Sequence, residues 1–350
     1  MKFSSIQVCR ALAANAVVLS HLVAIEQKYA HGYTLLPEWL RFAGWSGVHF
    51  FFVISGFVMM FAYRPGNWTG FLAARLLRIY PVYWVYTTMV LAVFLVAPAM
   101  VNSSVGQPQS IIKSYLLWPD AAAPLLAVGW TLIHEMYFYL ALAILIALAV
   151  PLRCALPLWA AVLAAGAWIL PEPVASPVLG LLLSPLTFEF LLGAVAGLLI
   201  RRKVLAFGRT ALLAGIALAL AGGVLYVRWG VAHGEIVTSI LLLGLPFVLV
   251  VYGLAVVERR HGWPKLPQLE RLGDASYSTY LGHVLVLSAI GRVYAALPIH
   301  GWAVEAVFLA VCLVAANIAG VLSYRWIEQP ILRLRRYLPR ANSVAAPANA

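Results

Sequence analysis

The sequence predicts an all-α, polytopic membrane protein with about ten transmembrane helices. Three observations predict it. Of its 350 residues, 63% are hydrophobic and only 10% charged, where a soluble domain carries charge on about a quarter of its residues. The mean hydropathy of +0.92 is too high for a single buried core. The apolar residues also gather into stretches long enough to cross a bilayer, separated by Pro- and Gly-rich joints such as "RPGNWTG", "PEPVASP" and "HGWPKLP".

Taken in order, the expected spans cover residues 6–25, 43–63, 80–100, 127–150, 155–171, 178–200, 210–227, 236–257, 275–297 and 303–323. The first is read as a retained span and not a cleaved leader, because Arg10 interrupts its apolar run and further spans follow. With ten spans and an inner N-terminus, 19 of the 24 Lys and Arg residues fall on the cytoplasmic side. The other five, Lys28, Arg41, Lys113, Arg228 and Arg292, fall outside. Both termini are therefore expected in the cytoplasm. Residues 1–340 form one transmembrane domain and 341–350 a disordered tail. The net charge of +12 follows from this loop asymmetry, so nucleic acid is not an expected partner, while membrane lipid is. Cys9, Cys154 and Cys312 are widely spaced and are expected to be buried apolar residues. No metal-ligand spacing, Walker motif or dinucleotide fingerprint is present in the sequence.

Ionisable groups inside spans are functional candidates by default. Here they are Arg10, His21, His49, His134, Glu135, Glu189, His283 and Glu305. In "CRALAANAVVLSHLVA", Arg10 and His21 are eleven residues apart. At about 100° per residue they share a face, and at about 1.5 Å per residue they lie about 16 Å apart along the axis. One face thus carries a cation toward the inner end and a titratable base further out. Arg75 and Arg78 share a face just ahead of the third span and suit phosphate binding or a positive-inside anchor. Glu135 in "GWTLIHEMYFYL" is expected at a depth near that of His21, where a carboxylate would orient the imidazole as general base. Ser55, paired with Gly56, permits close helix packing, and His49 is placed to line a cavity. Asp274 is a candidate cap for the ninth span. Tyr277, Tyr280 and His283 then form a stripe that suits either a pocket or a helix seam.

Together these motifs resemble the integral-membrane acyltransferase family 3, and its exopolysaccharide O-acetyltransferase branch in particular. The matching features are Arg10 with His21, Ser55-Gly56-Phe57, Arg75 with Arg78, Glu135 with Phe138 and Tyr139, "SYSTYLGH" and "YRWIEQP", together covering about residues 5–332. At His49 the chain departs from relatives that carry an acidic residue there. The resemblance implies a multi-pass enzyme of the bacterial inner membrane. It would move acetyl from cytoplasmic acetyl-CoA to a hydroxyl of an exopolysaccharide or lipid-linked oligosaccharide, in company with the polysaccharide assembly machinery and with no bound cofactor. His21 and Glu135 would be catalytic, Arg10, Arg75 and Arg78 would hold the acyl-CoA phosphates, and Ser55, His49, Tyr139, Tyr280 and His283 would line the pocket. Direct transfer and an acetyl-His21 relay are both open. The rival class is a proton-coupled transporter or flippase for a glycan precursor, which intramembrane ionisable groups also suit.

Overall fold

The computed structural model describes residues 3–101, 109–169, 174, 176–228 and 236–337, so the expected tail at 341–350 lies outside the described residues. Every expected span coincides with helix, and no strand occurs among the described residues. Eight helical segments there are long and apolar enough to cross a membrane. The other two expected spans are α6 (Leu152–Ile169), whose apolar stretch is short, and α13 (Ser276–Ala295), which is rich in Ser, Thr, Tyr and His.

α1 (Ser4–Tyr29) has 26 residues and so extends about 39 Å, more than a hydrocarbon core of about 30 Å requires. Its first backbone amides are satisfied from outside the helix. The Glu258 carboxylate accepts from Ser4 N (2.8 Å) and Ser5 N (2.9 Å), which ties the start of α1 to the end of α11 (Leu245–His261). α2 (Arg41–Ala62) packs against both α1 and α8 (Thr187–Arg201). α3 (Trp68–Val96) begins well before the expected position, because Asn67 caps it by accepting from Gly70 N (3.1 Å). Arg75 and Arg78 therefore lie inside a helix and not ahead of one. After the short α4 (Ile111–Leu116), α5 (Trp130–Ala147) carries the "HEMYFY" segment.

The expected span 178–200 is broken into α7 (Pro177–Leu182) and α8, since Pro185 in the intervening turn cannot donate a helical hydrogen bond. α9 (Gly208–Arg228) packs on α11, and the short α12 (Pro267–Asp274) lies against the start of α1. Asp274 ends α12 and does not cap α13, whose N-cap residue is Ala275 with no side-chain bond. α14 (Trp302–Ser323) packs on α13. Cys9 and Cys312 are buried as expected, whereas Cys154 is exposed.

Two helices contain a five-residue π turn. Ile240–Gly244 joins α10 (Ile236–Ser239) to α11, and Tyr324–Glu328 joins α14 to α15 (Gln329–Arg333). In each case a proline, Pro246 or Pro330, stands two residues beyond. Proline leaves the carbonyl four residues earlier without its α-helical donor, and the wider turn accommodates that loss. Both turns lie beside buried carboxylates. Gly244 packs against Glu189, and Glu328 is itself the last residue of its turn.

Candidate active site

The first halves of α1, α3, α5 and α13 and the latter part of α2 converge on a cavity of about 110 Å³. Its walls include Arg10, Ser55, Arg75, Arg78, Glu135, Tyr139, Ser276, Tyr277 and Tyr280. Seven of the ten predicted site residues thus share one chamber, although they come from five helices.

The polar groups in this chamber differ in how they are held. Arg10 Nε donates to Ser276 Oγ (3.2 Å). Arg75 stacks its guanidinium over the Tyr139 ring, 5.9 Å from the centroid, and its buried Nε has no hydrogen-bond partner. Arg78, in contrast, is ion-paired with Glu328, whose other oxygen accepts from Ser278 Oγ (2.6 Å). A cation already paired with a carboxylate holds a new anion less readily, so Arg10 and Arg75 are the two guanidiniums suited to receive one. Glu135 accepts from Ser55 Oγ (3.0 Å) and from the Tyr139 hydroxyl. The Tyr277 hydroxyl donates to Ile79 O (2.8 Å), and the Tyr280 hydroxyl donates to Val128 O (2.9 Å) and shares a hydrogen bond with Thr131 (2.8 Å).

His21 is not in this chamber, and the expected His21–Glu135 contact is not made. Glu135 is turned toward Ser55 and Tyr139 in the chamber, whereas His21 lines a second cavity of about 490 Å³ between α1, α3 and α13. The imidazole of His21 packs edge-on against that of His283, with 4.7 Å between ring centroids. His283 in turn lies 6.0 Å from the Tyr280 ring, which faces the first chamber. Tyr280, His283 and His21 therefore form the partition between the two cavities. His21 Nδ1 lies 2.9 Å from Val17 O, and His283 Nδ1 lies 2.7 Å from Tyr280 O. A carbonyl only accepts, so each Nδ1 carries the proton when the ring is neutral, and each Nε2 presents a lone pair. The His283 Nε2 is buried without a partner.

His49 lies apart from both cavities. Its Nδ1 donates to Glu189 Oε1 (2.5 Å) in a fully buried pair, and Trp45 packs edge-on against its ring. The base at this position of α2 is thus matched by an acid from α8. Glu305 is a buried partner of the Tyr294 hydroxyl (2.9 Å), and His134 lines a third cavity with Trp45 and Trp130. Glu328 was not among the sequence candidates. Its signal was present in "YRWIEQP", as a lone carboxylate in the last apolar run.

The sequence matches the family described as an acyltransferase domain over residues 3–325. The chain belongs to this acyltransferase family. It is similar to the exopolysaccharide production protein ExoZ of Rhizobium meliloti, with 31% identity over 325 residues that cover 89% of this chain and 94% of the relative. It is also similar to Nodulation protein 10 of Rhizobium leguminosarum bv. viciae, with 28% identity covering 83% of each chain. No solved structure matches it. As a member of this acyltransferase family with eight membrane-length helices among the described residues, the chain is a multi-pass membrane acyltransferase. Both the basic chamber and the His21 cavity are built from residues within the matched region, apart from Glu328.

Proposed function

We propose that the chain transfers an acetyl group from cytoplasmic acetyl-CoA to a hydroxyl of a bacterial exopolysaccharide or its lipid-linked precursor. The observation that carries this is the pairing of two unlike cavities across the Tyr280–His283–His21 partition. One is small and basic, and the other is large and holds an imidazole lone pair. The similarity to an exopolysaccharide production protein supports the acceptor class. The loop-charge asymmetry supports an inner-membrane orientation with cytoplasmic termini and with the basic chamber on the inner side.

At about 110 Å³ the basic chamber is well below the 300–1,000 Å³ typical of sites that engulf a whole ligand. It admits the slim pantetheine arm and leaves the nucleotide outside. Arg10 and Arg75 hold the phosphates at the entrance, while Glu328 fixes Arg78. Glu135 keeps Ser55 and Tyr139 in place around the arm. The thioester reaches the partition, and the acceptor hydroxyl approaches His21 from the larger cavity. The hydroxyl oxygen attacks the thioester carbonyl as His21 Nε2 takes its proton. Collapse of the tetrahedral intermediate breaks the carbon–sulfur bond, and the imidazolium returns the proton to the departing thiolate. The Val17 carbonyl keeps Nδ1 protonated, so Nε2 is the nitrogen that acts.

The experiment is His21→Ala in the purified, reconstituted protein. Acetyl transfer is expected to fall by about 10²–10⁴-fold with protein yield and acetyl-CoA binding retained. Undiminished acetylation of the glycan would refute the assignment.

A further inference from the structure

We propose that Lys28 and Arg292 form an anion subsite in the His21 cavity that grips the phosphate of a membrane-lipid carrier bearing the acceptor sugar. This rests on the assignment of that cavity to the acceptor.

The five basic residues that the loop-charge pattern places outside are not equivalent. Arg41 is paired with Glu38, and Lys113 with Asp120. Arg228 lines neither cavity, whereas Lys28 and Arg292 make no ion pair among the described residues and both line the His21 cavity. Lys28 lies over the Tyr29 ring, and the Arg292 guanidinium makes one long hydrogen bond, 3.5 Å to Met100 O. The nearest carboxylate on α1, Glu26, is two residues from Lys28 and so about 200° around the helix. It is buried and already accepts from the backbone amides of Leu35 and Leu36. Both cations are thus free to receive a ligand.

Their spacing places them together. α1 and α13 run in the same direction, because Arg10 meets Ser276 and, further along both helices, His21 meets His283. From that histidine pair, Lys28 is seven residues along α1 and Arg292 nine along α13. At about 1.5 Å per residue they stand roughly 10 and 14 Å above the imidazoles, on nearly the same level. His21, Ala24, Ile25 and Lys28 form one stripe of α1, and Leu285, Ser288 and Arg292 form one stripe of α13. Two donors at one level suit a phosphate or pyrophosphate, and the gap down to His21 is the reach of a short oligosaccharide.

The remaining walls decide the carrier. They are mostly apolar, with Val90 and Val93 of α3 facing Val284 and Leu285 of α13. Such walls offer hydroxyls few partners, so a free polysaccharide would be held weakly and binding must draw on the phosphate and the alkyl or prenyl chain of a carrier. Along α3, Leu95 and Val96 continue the apolar surface outward, 70% and 87% exposed. The cavity can therefore be entered from the bilayer. In this arrangement the carrier's chain lies along α3, its phosphate bridges Lys28 and Arg292, and the sugar points down to His21.

The test uses the full chain in detergent and measures binding of a short polyprenyl pyrophosphate by native mass spectrometry. Wild type should bind it in a salt-sensitive manner. Lys28→Gln with Arg292→Gln should weaken binding about tenfold or more, and Lys28→Arg should retain it. In proteoliposomes the double variant should raise KM for the lipid-linked acceptor by a similar factor. Equal binding by the double variant would overturn the subsite, as would equal binding of uncharged polyprenol by wild type. Displacement of the probe with equal affinity by phosphatidylglycerol would reduce it to a bulk-lipid site, and displacement by a water-soluble acidic oligosaccharide would assign the cations to a sugar carboxylate; either overturns the proposal. If the acyltransferase assignment itself is wrong, wild type will move no acetyl group whatever the binding results.

Discussion

Replacing Gly56 by alanine adds one methyl group at a close backbone seam between α2 and α8. A Cβ on Gly56 would stand 2.0 Å from the Phe190 carbonyl oxygen, 2.7 Å from its carbon and 2.9 Å from its Cα. All three are backbone atoms of α8, so no side chain can swing aside. The seam is reciprocal, since a Cβ on Gly193 would stand 2.0 Å from Val53 O, and one on Gly197 would stand 2.6 Å from Phe57 O. Ordinary contact begins above about 3 Å, so the two helices must part locally by at least about 1 Å. A gap of that size forfeits a quarter to a half of the dispersion energy along the seam. It also stretches the 2.5 Å bond between His49 on α2 and Glu189 on α8. The expected cost is about 3 kcal/mol, the upper part of the range for overpacking. In thermal unfolding of the detergent-solubilised protein, the apparent Tm should fall by about 5 °C or more. Gly180→Ala is the control, because its Cβ would meet Val174 only at 3.9 Å, and it should leave Tm unchanged or raise it. The double variant Gly56→Ala/Gly193→Ala should cost less than the two changes added together, since the first methyl opens space for the second. Wild-type stability for Gly56→Ala, or strict additivity in the double variant, would refute the steric reasoning.

Two further outcomes follow from the ion pairs. Glu328→Gln leaves Arg78 without its counter-charge beside a chamber that already holds Arg10 and Arg75. The expected destabilisation is about 3 kcal/mol, measured by chemical denaturation, and Arg78→Met in the same chain should recover much of it. At the other end of the protein, the hydrogen bond from Lys113 holds the Asp120 carboxyl below its ordinary range. Its contribution is present above the unfolded carboxyl pKa and is lost as pH falls through the lower folded value. Amide exchange in the 111–125 segment should therefore stay slow down to about pH 4 and quicken only below it, and Lys113→Gln should move that onset upward.

The helices were legible because apolar run length and proline and glycine punctuation are local signals. The chamber was partly legible for a similar reason. Arg75 and Arg78, and Glu135 and Tyr139, are neighbours on one helix face, and spacing shows that much. The cross-helix pairs were not. His49 finds Glu189 across 140 residues, Arg78 finds Glu328 across 250, and Arg10 finds Ser276 across 266. No periodicity within a window encodes such a meeting, which is set by how the helices cross. Counting turns puts Arg10 and His21 on one face of α1, and depth alone suggests Glu135 as the neighbour of His21. The packing of α1 on α13 supplies His283 instead. The start of α3 was misplaced because Arg75 and Arg78 look like a flank when the chamber that receives them is unknown.

The π turn at Tyr324–Glu328 makes chain length itself a determinant of the site. It holds one residue more than an α-helical turn would, so losing any one of its residues would let the helix close into regular α geometry and rotate everything beyond by about 100°. Ile331 would leave the core it packs against, and the carboxylate facing Arg78 would swing out of reach. A single-codon deletion there should therefore be as damaging as replacing Glu328, even where every remaining side chain is kept. In comparisons among relatives, a one-residue gap ahead of this proline would mark a change in the geometry of the chamber.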